Sequence, residues 1–151
     1  MRIELRNDIF FAEVEQMLNE GQSVTISVKG FSMRPMMRNE KDKVVLTAHT
    51  KEDIKLGNVM LFRHNGNHIM HRIINIDGNN VTFAGDGNYR IIERATKEDI
   101  VAQVTTIIRP SGYTISLDSR RWKIYSKIWL ALPAIIRRYI LGLARRLRLW
   151  T

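Results

Sequence analysis

Three short stretches of the sequence hold residue types that could build a nucleophilic site. In the first, KGFSMRP at residues 29–35, Ser32 follows a glycine and an aromatic residue and precedes a methionine. A serine hydroxyl attacks a carbonyl carbon at neutral pH only when a neighbouring base, usually histidine, takes its proton. Ser32 is therefore either a nucleophile or a turn residue at the end of a hydrophobic run, and the available bases decide between the two.

The sequence offers four histidines as that base: His49, His64, His68 and His71. His64 and His68 flank an Asn-Gly-Asn triplet, which is typical of an exposed hairpin turn. His71 lies further along, in IMHRII, where a histidine is either buried with its hydrogen bonds satisfied or held in a site. His64, His68 and His71 would share a face on a helix and could bind a metal there. The hairpin turn argues against a helix, so we expect neither a metal nor a cofactor.

The third stretch is AGDGN, residues 84–88, and it supplies a carboxylate. Asp86 is a candidate for the acid that orients a histidine base and stabilises its cationic form. The alternative is an ordinary tight turn, because aspartate and asparagine bond their own backbone in such loops.

The stretches GFSMRPMM, HIMHRII and FAGDGN, in this order, resemble the catalytic core of the S24/S26 serine peptidases, the group of signal peptidase I and the LexA-type repressors. The resemblance covers roughly residues 22–108. It implies a compact antiparallel β-rich peptidase core, with Ser32 as the nucleophile in a box that includes Gly30, Met33 and Pro35. Phe31 departs from the small or acidic residue that is common before this serine, which leaves the shape of the substrate pocket open.

The same resemblance implies the other catalytic residues. His71-Arg72 stands where bacterial signal peptidases I and LexA-type proteins have a lysine base, as in the archaeal and endoplasmic-reticulum type of signal peptidase. It implies His71 as the base and Asp86 as the acid. Gly30, Met33 and Arg72 are expected near the substrate, a peptide or protein precursor held along a strand edge. Arg72 is either structural or a ligand of a carboxylate.

The elements that must position these residues are mainly strands. Apolar spacing predicts a helix at residues 8–20, ended by Gly21, and alternation predicts strands at 23–30 and 42–49. Two tight turns predict an antiparallel meander over residues 59–84. A loop and a polar segment then lead to a strand at 100–108. We therefore predict a mainly β, α+β fold with an N-terminal helix and a basic C-terminal helical tail.

The net charge of +9 lies entirely in that tail. Residues 1–118 contain 15 Lys/Arg and 15 Asp/Glu, whereas residues 119–151 contain nine Lys/Arg and no acid. We place a peptidase domain at residues 1–110 and the tail at 119–151, as one or two helices with a start or kink at Pro133. The tail either lies on a membrane surface or packs on the body or a partner. Its apolar stripe is Ile135, Ile136, Tyr139, Ile140, Leu143, Leu147 and Trp150, with Arg137, Arg138, Arg145 and Arg148 mostly opposite.

Composition excludes several classes and leaves three alternatives to a precursor-cleaving endopeptidase. The absence of cysteine excludes a disulfide framework, a thiolate nucleophile and a cysteine zinc site. With neither a signal peptide nor a spanning segment apparent, we expect a peripheral membrane protein, on the cytoplasmic side by default. The alternatives are an inactive binding module on the same fold, a LexA-like self-cleaving regulator, and a nucleic-acid binder using the tail. The neutral body disfavours the last, so we expect no nucleic-acid partner.

Overall fold

The computed structural model describes residues 7–147. Within this range, three helices and eight strands follow one another, with short 3-10 turns at Lys51–Asp53 and Lys97–Asp99. The elements are α1 (Asn7–Asn19), β1 (Val24–Ser27), β2 (Lys43–Thr47), β3 (Val59–His64), β4 (Asn67–Asp77), β5 (Asn80–Gly85), β6 (Asn88–Thr96), β7 (Ile100–Ile108), β8 (Thr114–Ser116), α2 (Arg120–Ala131) and α3 (Ala134–Arg146).

All eight strands join one sheet with the order β1-β2-β7-β3-β4-β5-β6, and β8 pairs with β7. Every strand pair is antiparallel. The β3–β4 hairpin closes through Asn65 and Gly66, both with positive φ, which is the turn geometry that matches the strands' right-handed twist. The predicted α+β class, the meander and the strand at 100–108 are confirmed.

The segment after Gly85 differs from its prediction as a loop and a polar segment. It forms β6, which pairs with β5 along most of its length. The sequence pattern concealed this strand because Ile91 and Ile92 are exposed while the charged Glu93 that follows them is buried. Pairing with a neighbouring strand satisfies its backbone groups whatever the side-chain pattern, so tertiary contacts override the local signal.

The sheet buries apolar side chains on both faces of β3. Val59 and Leu61 face the main core, which also contains Val14 and Leu18 of α1. Met60 and Phe62 face a second cluster with Ile73, Val81 and Phe83, in which the rings of Phe62 and Phe83 stack at 3.8 Å. Successive residues of a strand point to opposite faces, so β3 and its neighbour β4 can serve two environments at once.

The C-terminal segment forms two helices that dock on the body along a narrow face. Ser119 caps α2, whose Trp122 and Trp129 belong to the main core, and the chain breaks at Pro133 before α3 as predicted. Only Ala144 of α3 is fully buried, with Leu141 half-buried beside it. Within residues 7–147, no helix is long and apolar enough to cross a membrane.

The apolar stripe of α3 therefore remains exposed instead of packing on the body. Its members in the described chain have between 38% and 72% of their surface accessible: Ile135, Ile136, Tyr139, Ile140, Leu143 and Leu147. Ile124, Tyr125 and Ile128 of α2 are exposed as well. The predicted stripe residue Trp150, like Arg148, lies outside the described residues.

Candidate active site

The turn that carries Ser32 is anchored in the main core by methionines. Met33, Met36 and Met37 are buried, whereas Ser32 is half-buried and Phe31 exposed. Gly30 enters the turn with φ of 89°, and its N–H donates to Asn39 Oδ1 at 2.7 Å. Apolar side chains thus hold the turn down while the serine stays at the surface. Met33, predicted near the substrate, is instead a core side chain.

The glycines of the AGDGN stretch lie directly against the serine turn. Gly87 N–H donates to the Ser32 carbonyl oxygen at 2.8 Å. A Cβ atom at Gly85 would overlap that same oxygen, and one at Gly87 would lie 2.7 Å from the Phe31 carbonyl oxygen. Both positions need glycine because two backbone segments approach each other more closely than a side chain allows. The first and third predicted stretches therefore form one surface.

His71 reaches the same point from β4. A Cβ at Gly85 would also lie 3.0 Å from His71 Nε2, so Ser32, Gly85 and the histidine ring are packed together. The other ring nitrogen, Nδ1, binds Glu93 Oε2 at 2.8 Å, with both side chains buried. A carboxylate only accepts hydrogen bonds, so Nδ1 carries a proton, and in the neutral imidazole Nε2 then presents a lone pair. That is the tautomer a general base for Ser32 requires.

Ser32 Oγ and His71 Nε2 form no hydrogen bond to each other in this structure, which describes residues 7–147. The hydroxyl sits on a single rotatable bond next to the carbonyl that touches Gly85. Hydrogen bonds between a nucleophile and its base are often long without substrate and shorten in the complex. The observed approach is between the Ser32 backbone and the His71 ring, which both lie against Gly85.

Asp86 contacts Arg72, and not His71 as the sequence predicted. Its Oδ1 accepts from Arg72 Nε at 2.8 Å and its Oδ2 from Nη2 at 2.7 Å, a fork-to-fork pair. His71 and Arg72 are consecutive on β4, so their side chains leave opposite faces of the sheet. Asp86 lies on the same face of the sheet as the Arg72 side chain. On the face of His71, the carboxylate partner is Glu93 of β6.

Arg72 has a structural environment and is fully buried. Besides Asp86, it donates from Nη1 to Gly57 O and Ser126 Oγ, each at 2.8 Å, and from Nη2 to Met36 Sδ at 2.6 Å. All five N–H donors of the guanidinium are thereby used. The ring centroid of Trp122 lies 5.5 Å from its central carbon. The carboxylate that the sequence left open for Arg72 is the protein's own Asp86.

The tyrosine of α2 near this pair is affected by it. Although the Tyr125 side chain is partly exposed, the partial burial of its hydroxyl raises the pKa of that group, and the negative charge of Asp86 raises the pKa further. Both influences disfavour the phenolate, so Tyr125 stays neutral beside the ion pair. The docked helix α2 thus borders the Arg72–Asp86 pair with a neutral hydroxyl, an indole ring and the Ser126 hydroxyl.

The other three histidines each contact a different set of residues. His64 contacts Asn65, and His68 stacks on the Phe11 ring at 4.2 Å and binds Glu15 Oε1 at 3.1 Å. His49 Nε2 contacts the Ile100 carbonyl oxygen at 2.9 Å. In the described part of the chain, no group of three or more His, Cys, Asp or Glu side chains is arranged to hold a metal ion.

Glu93 is the residue that sequence reasoning missed. A hairpin with a simple two-residue turn at Asp86-Gly87 pairs Gly85 with Asn88, as observed, but would pair Ala84 with residue 89. Ala84 instead pairs with Ile92, because residues 89–91 bulge out of the ladder, and this places Glu93 opposite Phe83. The signal in the sequence was an acid directly after two apolar residues, in IIE. Which residue this acid contacts is determined by the bulge.

Comparison with known proteins does not assign the chain to a family. No protein-family model matches this sequence, and no curated protein matches it. The case for a site therefore depends on the convergence of Ser32, His71 and Glu93 around Gly85, supported from the opposite face by Arg72 and Asp86.

Proposed function

We propose that this protein is a serine endopeptidase that cleaves a precursor or leader peptide and resembles the S24/S26 peptidases. The observation that carries the proposal is the packing of His71 Nε2 and the Ser32 turn on Gly85, with Glu93 on Nδ1 at 2.8 Å. A nucleophile, a base of the correct tautomer and an orienting acid are the three parts of a serine hydrolase site. Glu93 takes the position that Asp86 was expected to fill.

The proposed reaction passes through an acyl-enzyme. Ser32 Oγ attacks the scissile carbonyl carbon while its proton moves to His71 Nε2. The tetrahedral intermediate collapses, the C–N bond breaks, and the imidazolium gives its proton to the leaving amine. A water then attacks the ester with His71 as base again, which releases the acid product and restores the serine. The Glu93 carboxylate stabilises the imidazolium formed in each half-reaction.

The backbone around Ser32 supports stabilisation of the oxyanion. Its N–H makes no hydrogen bond within residues 7–147, although the neighbouring Arg34 N–H donates to the Phe31 carbonyl at 3.2 Å. A free N–H beside a nucleophile can donate to the negative oxygen of the tetrahedral intermediate. Loss of one such donor typically raises the barrier by about 2.7–4 kcal/mol.

The direct test is cleavage of a mixed peptide library, with products identified by mass spectrometry. Wild type is expected to cut a defined subset of peptides. Ser32→Ala and His71→Ala are each expected to lower the rate by about 10⁶-fold, leaving only the residual catalysis of the oxyanion and binding groups. His68→Ala is the matched control, because His68 contacts Phe11 and Glu15 and lies away from Ser32. Cleavage that survives Ser32→Ala would overturn Ser32 as the nucleophile, and no cleavage of any peptide by wild type would favour the inactive binding module.

A second proposal concerns location: the exposed face of α2 and α3 lies on an anionic membrane surface. The supporting observation is an exposed set of large apolar side chains on two helices that carry eight Lys/Arg and no acid over residues 120–147. Apolar burial in the interface and attraction of cations to anionic lipids act together on such helices.

Vesicle sedimentation tests this second proposal. Wild type is expected to bind vesicles containing phosphatidylglycerol and to bind phosphatidylcholine vesicles more weakly. Ile136→Ser/Ile140→Ser should weaken binding by about tenfold or more, because each isoleucine contributes apolar burial. Ile91→Ser/Ile92→Ser removes two similarly exposed isoleucines from β6 and is the control. Equal loss in both variants would argue against a helix-specific contact.

A further inference from the structure

A cleft of about 570 Å³ opens between α3 and the segment that follows the serine-contacting glycines. Gly87, Asn88 and Arg90 line one wall, and Arg138, Gly142 and Arg145 are among the residues of the other. Gly87 is the residue whose N–H binds the Ser32 carbonyl oxygen at 2.8 Å. The cleft therefore begins immediately beside the proposed nucleophile.

The charge of this cleft is positive and uncompensated. Four arginines line it, Arg90, Arg138, Arg145 and Arg146, and none of the described residues in its wall is acidic. Within residues 7–147 none of the four forms an ion pair. Arginines elsewhere in the body do form ion pairs with carboxylates; Arg38 and Arg109, for example, both pair with Asp42. An unpaired set of like charges in a cleft focuses the electrostatic potential on whatever enters it.

The helix geometry directs these charges into the cleft. Arg138, Gly142 and Arg145 are spaced by four and three residues, so they share one face of α3. A Cβ at Gly142 would meet no atom within 4 Å, so the space between the two arginines is open. Guanidinium groups on either side of a gap can each bind a carboxylate with two parallel hydrogen bonds.

We infer that this cleft binds acidic side chains of the peptide substrate, so that preferred substrates carry Asp or Glu within a few residues of the scissile bond. The inference rests on the proposed peptidase function and adds the substrate class. The position beside Ser32 favours a peptide over a lipid phosphate. Of the exposed stripe, Ile136 and Ile140 lie outside the cleft wall, whereas Tyr139 and Leu143 form part of it.

Binding is tested first, without catalysis, in the Ser32→Ala protein. The probes are two fluorescein-labelled peptides of alanine and serine, one with four glutamates and one with four lysines at the same positions. By fluorescence anisotropy at about 150 mM salt, where distant charges are screened, the glutamate peptide should bind and the lysine peptide should not. Arg138→Glu/Arg145→Glu should weaken binding of the glutamate peptide by about tenfold or more, as two attractions become repulsions.

The matched control is Arg120→Glu/Arg121→Glu, which changes net charge equally on α2, outside the cleft. It should weaken binding by less than about threefold, because the screened interaction acts only at short range. Equal weakening by both double variants overturns the inference and leaves only a general charge effect. Unchanged peptide binding together with lost binding to phosphatidylglycerol vesicles in the cleft variant also overturns it, in favour of a lipid phosphate.

Catalysis separates this inference from the function beneath it. In the peptide library, acidic residues should be enriched near the sites that wild type cuts, and Arg138→Glu/Arg145→Glu should lose or reverse that enrichment. Cleavage without any charge preference overturns the acidic-substrate inference while the peptidase proposal stands. Cleft-dependent binding of the glutamate peptide with no cleavage of any peptide overturns the peptidase proposal while the binding site stands.

Discussion

Two consecutive residues of β4 each form a buried pair with a carboxylate, one pair on each face of the sheet. His71 contacts Glu93 through one ring nitrogen, and Arg72 contacts Asp86 through a two-pronged pair. In the sequence the four residues are two basic residues followed by two acidic ones, and their order does not show which acid contacts which base. In the structure the first pair joins the serine turn, and the second joins α2, the Gly57 carbonyl and the methionine anchor of that turn.

The number of unused hydrogen-bonding positions separates the two pairs. Every donor of Arg72 has an acceptor, so the guanidinium has nothing left to offer a substrate and serves to fix three elements. His71 uses only Nδ1 and leaves Nε2 beside Ser32 and Gly85. A saturated buried ion indicates a structural function, whereas a buried histidine with one open nitrogen beside a serine residue is what the proposed peptidase reaction requires.

The largest expected effect that separates the pairs is on activity. Glu93→Gln keeps the shape but allows the histidine's other tautomer, with the proton on Nε2, so kcat should fall by about 10⁴-fold. The free energy of unfolding should change much less than the activation free energy to which this fall in kcat corresponds. The measurement is kcat on a peptide cut by wild type, beside a urea titration of each protein. Asp86→Asn is the comparison: it should retain far more activity per folded molecule, and equal losses would assign both acids to catalysis.

Replacement of Arg72 should act mainly on stability. Arg72→Met leaves the Asp86 carboxylate buried without its partner, which should lower the free energy of unfolding by about 3–5 kcal/mol. The variant should show a lower urea midpoint with an unchanged slope. Adding Asp86→Asn to Arg72→Met should recover part of the loss, because a neutral amide is less costly to bury than a lone carboxylate. A double variant less stable than Arg72→Met would contradict this account of the pair.

The comparison also shows where sequence information ends. Alternation, turn residues and the proline break were enough to predict the helices at both ends, the meander and the strand at 100–108, because these signals are local. The approach of Ser32 and His71 followed from resemblance, not from pattern. That His71 contacts Glu93 instead of Asp86 could not be predicted, because the contact depends on a bulge at residues 89–91 that shifts the register. The exposure of the α3 stripe likewise depends on which helix face docks.

The close approach at Gly85 should make this buried position sensitive to an added methyl group. Gly85→Ala places a methyl group against the Ser32 carbonyl oxygen and His71 Nε2. Displacing the serine turn by about 1 Å should lower kcat/KM by about 10²-fold, with a stability loss of about 1–3 kcal/mol. Gly142→Ala is the control for stability alone, since no atom lies within 4 Å of its Cβ position and it sits in a helix. It should instead raise stability, by about 0.5–1 kcal/mol. Full activity in Gly85→Ala would show that the two backbone segments are not held in this contact during turnover.

The smallest expected effect tests whether α2 belongs to the structural pair. Ser126→Ala removes one acceptor from Arg72 Nη1 while Gly57 O remains, so the free energy of unfolding should fall by about 1–2 kcal/mol. Activity per folded molecule should stay close to wild type, because Ser126 contacts only the saturated side of β4. Ser119→Ala, which removes the cap of the same helix, should cost about 1 kcal/mol by a different route. The two losses should add in the double variant if capping and the Arg72 contact are independent. A fall in kcat for Ser126→Ala, with stability unchanged, would instead connect α2 to the chemistry on the other face of the strand.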